Sequence, residues 1–536
     1  MRRAANTKPA SFVVAHLRGR RELLAVVALT LFAAALRLWA LDSIPPGLHG
    51  DEALTGLDAL RVQSDGWIGP YTGSGLGQPT GPLYWAAFTL ELTGDGVYAL
   101  RFSMALLGIM AIPIGYLAFR EMLGKPVAMI ATTLLAAMQW HLLYSRTGFM
   151  VISWPLIELA VLGLLFAALR LRHMRLFVLA GVALGAGIYT YNVYPIFVIA
   201  VGLWAVLLIL QARSAWQPLA LRFAVLFGCA FLVALPLLEY AADGKNDYFS
   251  HHRQSSVLRS AAYESADLSE RIEILLEEAG NWLEGMTFEA RPDGGDGAGA
   301  RPMLDPLTVA LVAGGLLVSV RKIRLPAYQL LGLMLAVLPI AAIISIDGSY
   351  RRTLGLAPAV AVLAALPLAS IWERAEDQAK TRQRMLRAAV AVTVIAVAAI
   401  NIQAYFVDVG PSENARFTFA TEMAEAAKYM NKEAGDAHVY LYSGRWGFNY
   451  ETRLYLAPEA KGEDRSKEFG ESQGFDVDRS QSSLIMLLSP YTEQIDDVRQ
   501  LYPDGRAFEK HDGDRTLFIA FHVPPLADAA DDTGRK

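Results

Sequence analysis

"IPPGLHGDEALTGLDAL", residues Ile44 to Leu60, is the stretch around which this chain is organised. It follows directly on the first long apolar run, and it places two acids, Asp51 and Glu52, side by side. Pro45 and Pro46 end the apolar helix, because proline lacks a backbone donor and restricts the residue before it. Paired carboxylates near lipid are costly unless they are shielded or used. The stretch therefore marks the end of a membrane helix and the start of a loop whose two acids need either shielding or a function.

The segment after the prolines predicts a short amphipathic helix. Leu54, Leu57 and Leu60 fall on one side of "DEALTGLDALRV", so we expect this helix to lie along the outer membrane surface. Asp51 and Glu52 fall in its first turn, where the helix dipole favours the ionised carboxylate. A charged carboxylate in that place can accept a proton from a hydroxyl group. Acids that only cap a helix are equally common there, and the stretch alone leaves both interpretations open.

The composition indicates a membrane protein. The chain has 536 residues, of which 54% are hydrophobic and 19% are charged. It is too apolar for an ordinary soluble enzyme, and it predicts many membrane spans together with a soluble portion. The formal net charge of -4 gives no case for nucleic acid as a partner. The single cysteine, Cys229, lies in an apolar run, which excludes intrachain disulfides and thiolate metal clusters.

Apolar runs long enough to cross a bilayer core recur along the chain. The predicted spans, about eleven by a criterion of about 20 residues each, are Leu23–Leu41, Val97–Phe119, Val127–Leu143, Val151–Leu169, Leu176–Tyr191, Pro195–Leu210, Phe223–Tyr240, Leu304–Val320, Ala327–Ile346, Thr353–Trp372 and Ala388–Phe406. No small-residue cleavage site follows the first span, so we interpret it as an anchor and not as a cleavable signal.

Lysine and arginine predict the orientation of these spans. "MRRAANTK", "RGRR", "RLRHMR" and "RKIR" fall on one side of the membrane, whereas the first loop on the other side, residues 42–96, holds only Arg61. Cytoplasmic loops carry the excess of Lys and Arg. We therefore predict a multi-pass protein of the cell membrane with a cytoplasmic N-terminus and an extracytoplasmic C-terminal part.

The predicted spans and loops divide the chain into three parts. They are a cytoplasmic tail, residues 1–22; a transmembrane module, residues 23–406, with outer loops 42–96 and 241–302; and an extracytoplasmic domain, residues 407–536. In that last part "HVYLYS", "SLIMLL" and "TLFIAFHV" predict strands, and Phe419–Glu433 and Thr492–Leu501 predict helices, which together indicate a small α/β domain. "RPDGGDGAGARP", Arg291–Pro302, and the tail "ADAADDTGRK" are predicted to be flexible.

The order of features resembles one family. An acidic "DE" just past the first helix is followed by "GPLYW", "VYALRFSMALLGIMAIPIGYLAFREMLG" and "WHLLYSRTGFM"; a large outer loop follows the seventh helix, and an arginine pair opens a late one. This order is similar to that of bacterial and archaeal membrane glycosyltransferases of the GT-C type, above all the family 39/83 enzymes, which include protein O-mannosyltransferases and the aminoarabinose transferase of lipid A. The resemblance covers Leu36 to Trp372. The family's usual "PPLY" is "TGPLY" here, with Gly81 in place of one proline.

The resemblance implies a GT-C helical bundle that passes a sugar from a polyprenyl-phosphate carrier to an acceptor hydroxyl of a protein, glycan or lipid on the outer side of the membrane. We expect no cofactor, with a divalent metal as the alternative. The family's first-loop aspartate is the catalytic base, and that position matches Asp51, with Glu52 as the second member of the pair. The chemistry agrees, because phosphate is already a good leaving group whereas a hydroxyl needs a base, which contributes about 10²–10⁴-fold.

A departing phosphate needs positive charge, and the fork of arginine matches phosphate geometry. The arginines expected on the outer side are Arg146 in "YSRTG", Arg351 and Arg352 in "DGSYRRTLG", and Arg253 in "HHRQSS". Contact with lipid headgroups or snorkelling at a helix end is the alternative for each. Arg101 is expected to pair structurally with a buried acid, and Glu158 is a candidate partner.

Aromatic and histidine residues supply further candidates. Tyr84 and Trp85 in "GPLYW", and Tyr191 in "IYTYNVY", are candidates for a groove that holds sugar or lipid; packing and interfacial anchoring account for them equally well. His49 with Asp51, or His251 with His252, offers carboxylate and imidazole to a divalent metal. No zinc-type spacing accompanies them, and plain surface histidines are the simpler interpretation.

Two other classes of function compete with the enzyme. A transporter or lipid flippase also has many spans and an acid inside one of them, here Glu158. Transporters, however, usually have repeated halves and broken helices near the midplane, and the sequence indicates neither clearly. The third class is a sensor whose C-terminal α/β domain binds a ligand.

Overall fold

The computed structural model describes residues 19–243, 248–249, 253–289, 301–346, 350–466 and 474–526. Several sequence predictions lie outside these residues. They are the N-terminal tail up to residue 18, the pair His251–His252, most of the Gly-rich stretch Arg291–Pro302, and the C-terminal tail.

Apolar helices form a bundle, and shorter helices cover one end of it. The helices are α1 Arg20–Leu38, α2 Gly50–Asp65, α3 Gly81–Thr93, α4 Val97–Leu123, α5 Lys125–Ala137, α6 Gln139–Ser145, α7 Ser153–Leu171, α8 Met174–Gly187, α9 Pro195–Gln211, α10 Trp216–Ala242, α11 Ala261–Ser265, α12 Leu268–Thr287, α13 Pro306–Arg321, α14 Pro326–Val337, α15 Ile340–Ile343, α16 Leu356–Arg374 and α17 Lys380–Gln403. α4 packs along α7, α8 along α10, and α16 against α5 and α13.

Many of these helices suit a bilayer. Among the described residues, six are each long and apolar enough to cross it: Val97–Leu123, Met150–Leu171, Arg213–Ala242, Pro326–Ile343, Leu356–Asp377 and Lys380–Val409. α5 and α6 qualify together as a seventh, with a bend of 56° between them, and α8, α9 and α13 are shorter apolar helices. Every span predicted from the sequence coincides with one of these helices or with α1. The chain is a multi-pass membrane protein.

The predicted short helix after the first span forms as α2. A hairpin of β1, Tyr71–Thr72, and β2, Gln78–Pro79, connects it to α3. The leucine side, however, is only half-buried. The fully buried side consists of small and polar residues, Gly50, Glu52, Ala53, Thr55, Gly56, Asp58 and Ala59. Small side chains let α3 and the C-terminal domain approach this face closely, so α2 is held by protein contacts and not only by a lipid surface.

The C-terminal part is the expected α/β domain. Its helices are α18 Glu413–Thr418, α19 Thr421–Glu433, α20 Glu451–Leu456 and α21 Ile495–Leu501. Its strands are β3 His438–Tyr442, β4 Gly462–Asp464, β5 Ser483–Leu488, β6 Arg506–Asp512 and β7 Arg515–Val523, in the sheet order β4-β3-β5-β7-β6.

The sheet of this domain is mixed. β4, β3 and β5 are parallel, while β7 and β6 continue the sheet antiparallel. The sequence predicted the three central strands and both helices, which the structure confirms. It missed the edge strands β4 and β6, because β4 has only three residues and β6 is largely exposed and charged, so neither has an apolar pattern.

Candidate active site

The first turn of α2 is held by a reciprocal cap. The Asp51 N–H donates to His49 Nδ1 at 2.9 Å, and the His49 N–H donates to Glu52 Oε1 at 3.3 Å. This arrangement satisfies backbone donors that the helix itself cannot pair. It also occupies the Nδ1 atom of His49. No group of three or more His, Cys, Asp or Glu side chains converges in the described part of the chain.

Glu52 is buried and has a structural role, and its part in the chemistry stays a prediction. Its side chain is fully buried against Arg101, whose Nε and Nη2 donate to the carboxylate at 2.9 and 3.2 Å. The Gly148 N–H donates a further hydrogen bond to this carboxylate at 2.6 Å. The other partners of Arg101 are the carbonyls of Leu41, Pro45 and Gly47. Glu52 thus neutralises the arginine that holds the loop after α1.

The expected pairing of Arg101 with Glu158 is therefore wrong in its partner. Glu158 lies buried in α7, and neither of its carboxylate oxygens has a hydrogen-bond partner among the described residues. Arg101 instead joins Glu52 to the carbonyls of the loop after α1.

Asp51 points the other way, into an open ion pair with Arg351. Arg351 Nη1 lies 2.7 Å from Asp51 Oδ2, and the side chains are 24% and 48% exposed. The Arg351 guanidinium lies 4.8 Å from the centre of the Phe149 ring, which His49 contacts edge-on at 5.1 Å. A carboxylate and a guanidinium that could bind phosphate therefore lie together beside the Phe149 ring, and both are partly exposed. The sequence predicted both residues but not their contact.

Arg352 directly follows Arg351 in the chain, whereas Arg253 comes from the large loop after α10. Arg352 is buried, and its Nη1 has no hydrogen-bond partner among the residues described. Arg253 is exposed, and the segment after it pairs with the chain leading to Arg351: the Val257 N–H donates to Ile344 O at 2.9 Å. Both arginines remain candidates for anion binding.

Arg146 has a structural role at the end of α1. Its guanidinium is fully buried and donates to the carbonyls of Leu36, Ala40 and Ile44 at 2.7 to 3.1 Å. It also lies 4.8 Å from the centre of the Phe406 ring. These carbonyls are left over where α1 ends. These bonds use most of the donors of Arg146, and its use as a phosphate ligand stays a prediction.

The C-terminal domain reaches the turn that carries Asp51. The Gly50 N–H donates to the hydroxyl of Tyr450 at 3.1 Å, the Thr452 hydroxyl donates to Leu48 O at 2.9 Å, and the Leu48 N–H donates to Phe419 O at 2.7 Å. A Cβ at position 50 would lie 2.6 Å from the Tyr450 oxygen. Glycine is therefore required where the domain meets the turn.

The phenol of Tyr450 stays protonated in this contact. Burial, with smaller contributions from the carboxylates of Glu451 and Asp51, raises the pKa of Tyr450 to about 12, although the Gly50 N–H acts in the opposite sense. A neutral hydroxyl can accept the Gly50 hydrogen bond over the whole physiological pH range. Tyr450 is thus a constant support of the first turn of α2.

Solved structures match this architecture, although no family model and no curated protein does. The archaeal oligosaccharyltransferase AglB from Archaeoglobus fulgidus, in complex with an inhibitory peptide and a dolichol-phosphate, matches with a TM-score of 0.55 at 16% identity over 83% of this chain and 64% of that one. ArnT from Cupriavidus metallidurans, bound to undecaprenyl phosphate, matches with a TM-score of 0.53 at 15% identity over 93% of this chain and 97% of that one. The chain spans less than two thirds of the oligosaccharyltransferase.

The chain has the GT-C fold. The likeness to ArnT over 93% of the chain extends past Trp372, where the sequence resemblance ended. The structural likeness therefore includes part of the chain after Trp372.

Within this GT-C fold, the predicted aromatic groove is largely committed to structure. Tyr84 accepts the Ile68 N–H and donates to Gly69 O, both at 3.0 Å, and Trp85 Nε1 donates to Ser103 O at 2.7 Å. These bonds give Tyr84 and Trp85 a part in folding the first loop, and their place in a substrate groove stays a prediction. Tyr191 stacks on Trp154 with ring centres 6.3 Å apart, and its part in a groove stays a prediction.

Sequence reasoning missed several residues around the site. Arg37 is buried in α1 and donates to Ala136 O and to His141 Nδ1 at 3.0 and 2.8 Å. A charge inside an apolar run was the signal available for it. Tyr450 and Phe419 had no such signal, because nothing in their local sequence refers to a helix that lies almost 400 residues earlier.

Proposed function

We propose that this chain transfers a sugar from a polyprenyl-phosphate-linked donor to an acceptor hydroxyl, with Asp51 as the general base. The ion pair of Asp51 with Arg351 carries the proposal, because it joins a base and a phosphate-binding cation at the end of a membrane bundle. The complexes of AglB with dolichol-phosphate and of ArnT with undecaprenyl phosphate support a lipid-phosphate donor.

The reaction needs two groups in sequence. When the donor phosphate enters, Arg351 exchanges its contact with Asp51 for the phosphate oxygens, and the carboxylate becomes a stronger base. The acceptor oxygen then forms a bond to the anomeric carbon while the bond from that carbon to the phosphate oxygen breaks. The acceptor proton passes to Asp51, and the electron pair leaves with the phosphate, whose growing charge Arg351 and Arg352 stabilise.

We place this chemistry on the outer side of the membrane. Arg172, Arg175 and the "RKIR" segment, Arg321–Arg324, lie at the bundle end opposite Asp51, and Lys and Arg are enriched on the cytoplasmic side. Labelling of an Asp436→Cys variant in intact cells by an impermeant maleimide checks the side. Labelling that requires broken cells would reverse the orientation.

The arginine pair provides the test of the function. Replacement of both residues, Arg351→Ala with Arg352→Ala, should weaken binding of undecaprenyl phosphate and lower sugar transfer about 10²–10³-fold, because charge stabilisation of the leaving phosphate is lost. The measurement uses the full chain in lipid nanodiscs with undecaprenyl-phosphate mannose as the labelled donor and undecaprenyl phosphate as the binding probe.

A matched control comes from the same side of the protein. Arg259 is an exposed outer-loop arginine paired with Glu264 at 3.5 Å, and Arg259→Ala should leave both measurements unchanged. If the wild-type chain binds no undecaprenyl phosphate, or if the double variant binds it normally, the proposed donor site is wrong. Uptake of the donor across sealed vesicles without transfer to an acceptor would favour the transporter.

The contact of Tyr450 predicts a separate effect on turnover. Tyr450→Phe removes the acceptor of the Gly50 N–H beside Asp51, and kcat should fall about tenfold, the equivalent of one hydrogen bond, while the affinity for undecaprenyl phosphate stays the same. Tyr455→Phe is the control, since Tyr455 hydrogen-bonds to Gly96 in the same interface but away from Asp51. Equal losses in the two variants would mean that the hydroxyls only dock the domain.

A further inference from the structure

A groove lies between α9 and α14, at the end of the bundle opposite Asp51. α9 begins beside the outer loop, where the Asn192 side chain donates to Gly77 O at 2.8 Å. Its 17 residues end at Gln211, about 25 Å away at the helical rise per residue. α14 runs back from this end towards Arg351. The groove is therefore far from the proposed chemistry, and the inference that follows does not depend on it.

The lining of this groove is mainly apolar, with three polar side chains, Gln211, Arg324 and Gln329. The groove has a volume of about 500 Å³ and is lined by Leu207, Gln211, Ile323, Arg324, Gln329, Gly332 and Leu333. No acidic side chain is among these residues. Ile323 is 46% exposed, and the nearby Leu325 is 52% exposed. Such a mixture suits a molecule with a charged head and an apolar body.

Gln329, one of the lining residues, has a buried side-chain oxygen that no donor in the described part of the chain reaches. Its side chain is 5% exposed, and its Nε2 donates to Gln211 Oε1 at 3.1 Å. Its Oε1 is buried and has no hydrogen-bond partner among the described residues. A buried carbonyl without a donor is unfavourable, and native proteins usually satisfy it. A ligand with an O–H or N–H donor would complete this group.

Positive charge lies beside the groove, because the lining residue Arg324 belongs to a basic segment. Arg321, Lys322 and Arg324 follow one another in the exposed "RKIR" segment, and the Lys322 ammonium lies 5.6 Å from the centre of the Tyr328 ring. Basic pockets between membrane helices bind anionic lipid headgroups, and each cation near the surface strengthens that attraction. The charge is thus complementary to a phosphodiester.

We propose that this groove is a binding site for an anionic phospholipid whose headgroup carries a hydrogen-bond donor, such as phosphatidylglycerol. Arg324 binds the phosphodiester, and a glycerol hydroxyl donates to Gln329 Oε1. The acyl chains follow the apolar wall at Leu207 and Leu333. Phosphatidylcholine lacks both the net charge and the donor, so it fits less well.

Native mass spectrometry of the full chain tests the site directly. The protein in detergent micelles is titrated with phosphatidylglycerol or phosphatidylcholine, and the retained lipids are counted. The wild type should hold one phosphatidylglycerol in preference. Arg324→Gln should weaken that binding about fivefold, the effect of one cation, and Gln329→Leu should reduce the preference over phosphatidylcholine without lowering the unfolding temperature in lipid-free detergent.

The control variant is Arg175→Gln, which removes an exposed cation from the same end of the bundle outside the groove. It should retain wild-type lipid binding. The proposal is overturned if Arg324→Gln binds phosphatidylglycerol as the wild type does, or if Arg175→Gln weakens binding equally. Displacement of the lipid by millimolar inorganic phosphate would also overturn it, because the site would then recognise the anion alone.

Discussion

Asp51→Asn should lower sugar transfer about 10²–10⁴-fold, the loss expected for a general base, while the affinity for undecaprenyl phosphate is unchanged or higher. The substitution keeps the size of the side chain but removes the basic oxygen. It also releases Arg351 from its ion pair, so the phosphate no longer has to compete with a carboxylate. Opposite effects on rate and on binding are difficult to produce by a folding defect.

Folding should be nearly unaffected by this change. Asp51 is half-exposed, and surface ion pairs contribute about 0–1 kcal/mol. Asp65→Asn is the matched control, because Asp65 lies on the same helix and also pairs with an arginine, Arg61, at 3.3 Å. Its activity should equal that of the wild type. Near-normal transfer by Asp51→Asn would reduce Asp51 to a helix cap.

Glu52→Gln should act on stability instead. The amide leaves the fully buried Arg101 without a counter-charge, and breaking one partner of a buried pair typically costs about 3–5 kcal/mol. We expect less folded protein in the membrane and a lower unfolding temperature, with the surviving fraction still able to bind undecaprenyl phosphate.

A double variant separates the structural role of Glu52 from a chemical one. Arg101→Met combined with Glu52→Gln removes the charge that Glu52 neutralises, so part of the stability should return. Glu121→Gln, which opens the more exposed ion pair with Arg170, should cost much less. A Glu52→Gln protein that is fully stable but inactive would place Glu52 in the chemistry after all.

Local composition was sufficient for much of the architecture. A membrane helix needs only a long apolar run, and every predicted span coincides with a helix. The central strands of the C-terminal domain were equally predictable, because buried strands have their own apolar pattern. Edge strand β6 was not, since one exposed, charged strand is defined only by its neighbour β7.

The contacts of the two acids in the first loop could not be predicted from local sequence. The sequence alone determined that Asp51 and Glu52 begin a helix just beyond a membrane span, because prolines, glycines and charge act within a few residues. Only the tertiary structure gave the two carboxylates different surroundings. Arg101 from α4 pairs with Glu52 in a fully buried contact. Arg351, which is 300 positions from Asp51, pairs with the Asp51 carboxylate in a partly exposed contact. Adjacent residues in a helical turn point in different directions, and the partner that each meets depends on packing between distant segments.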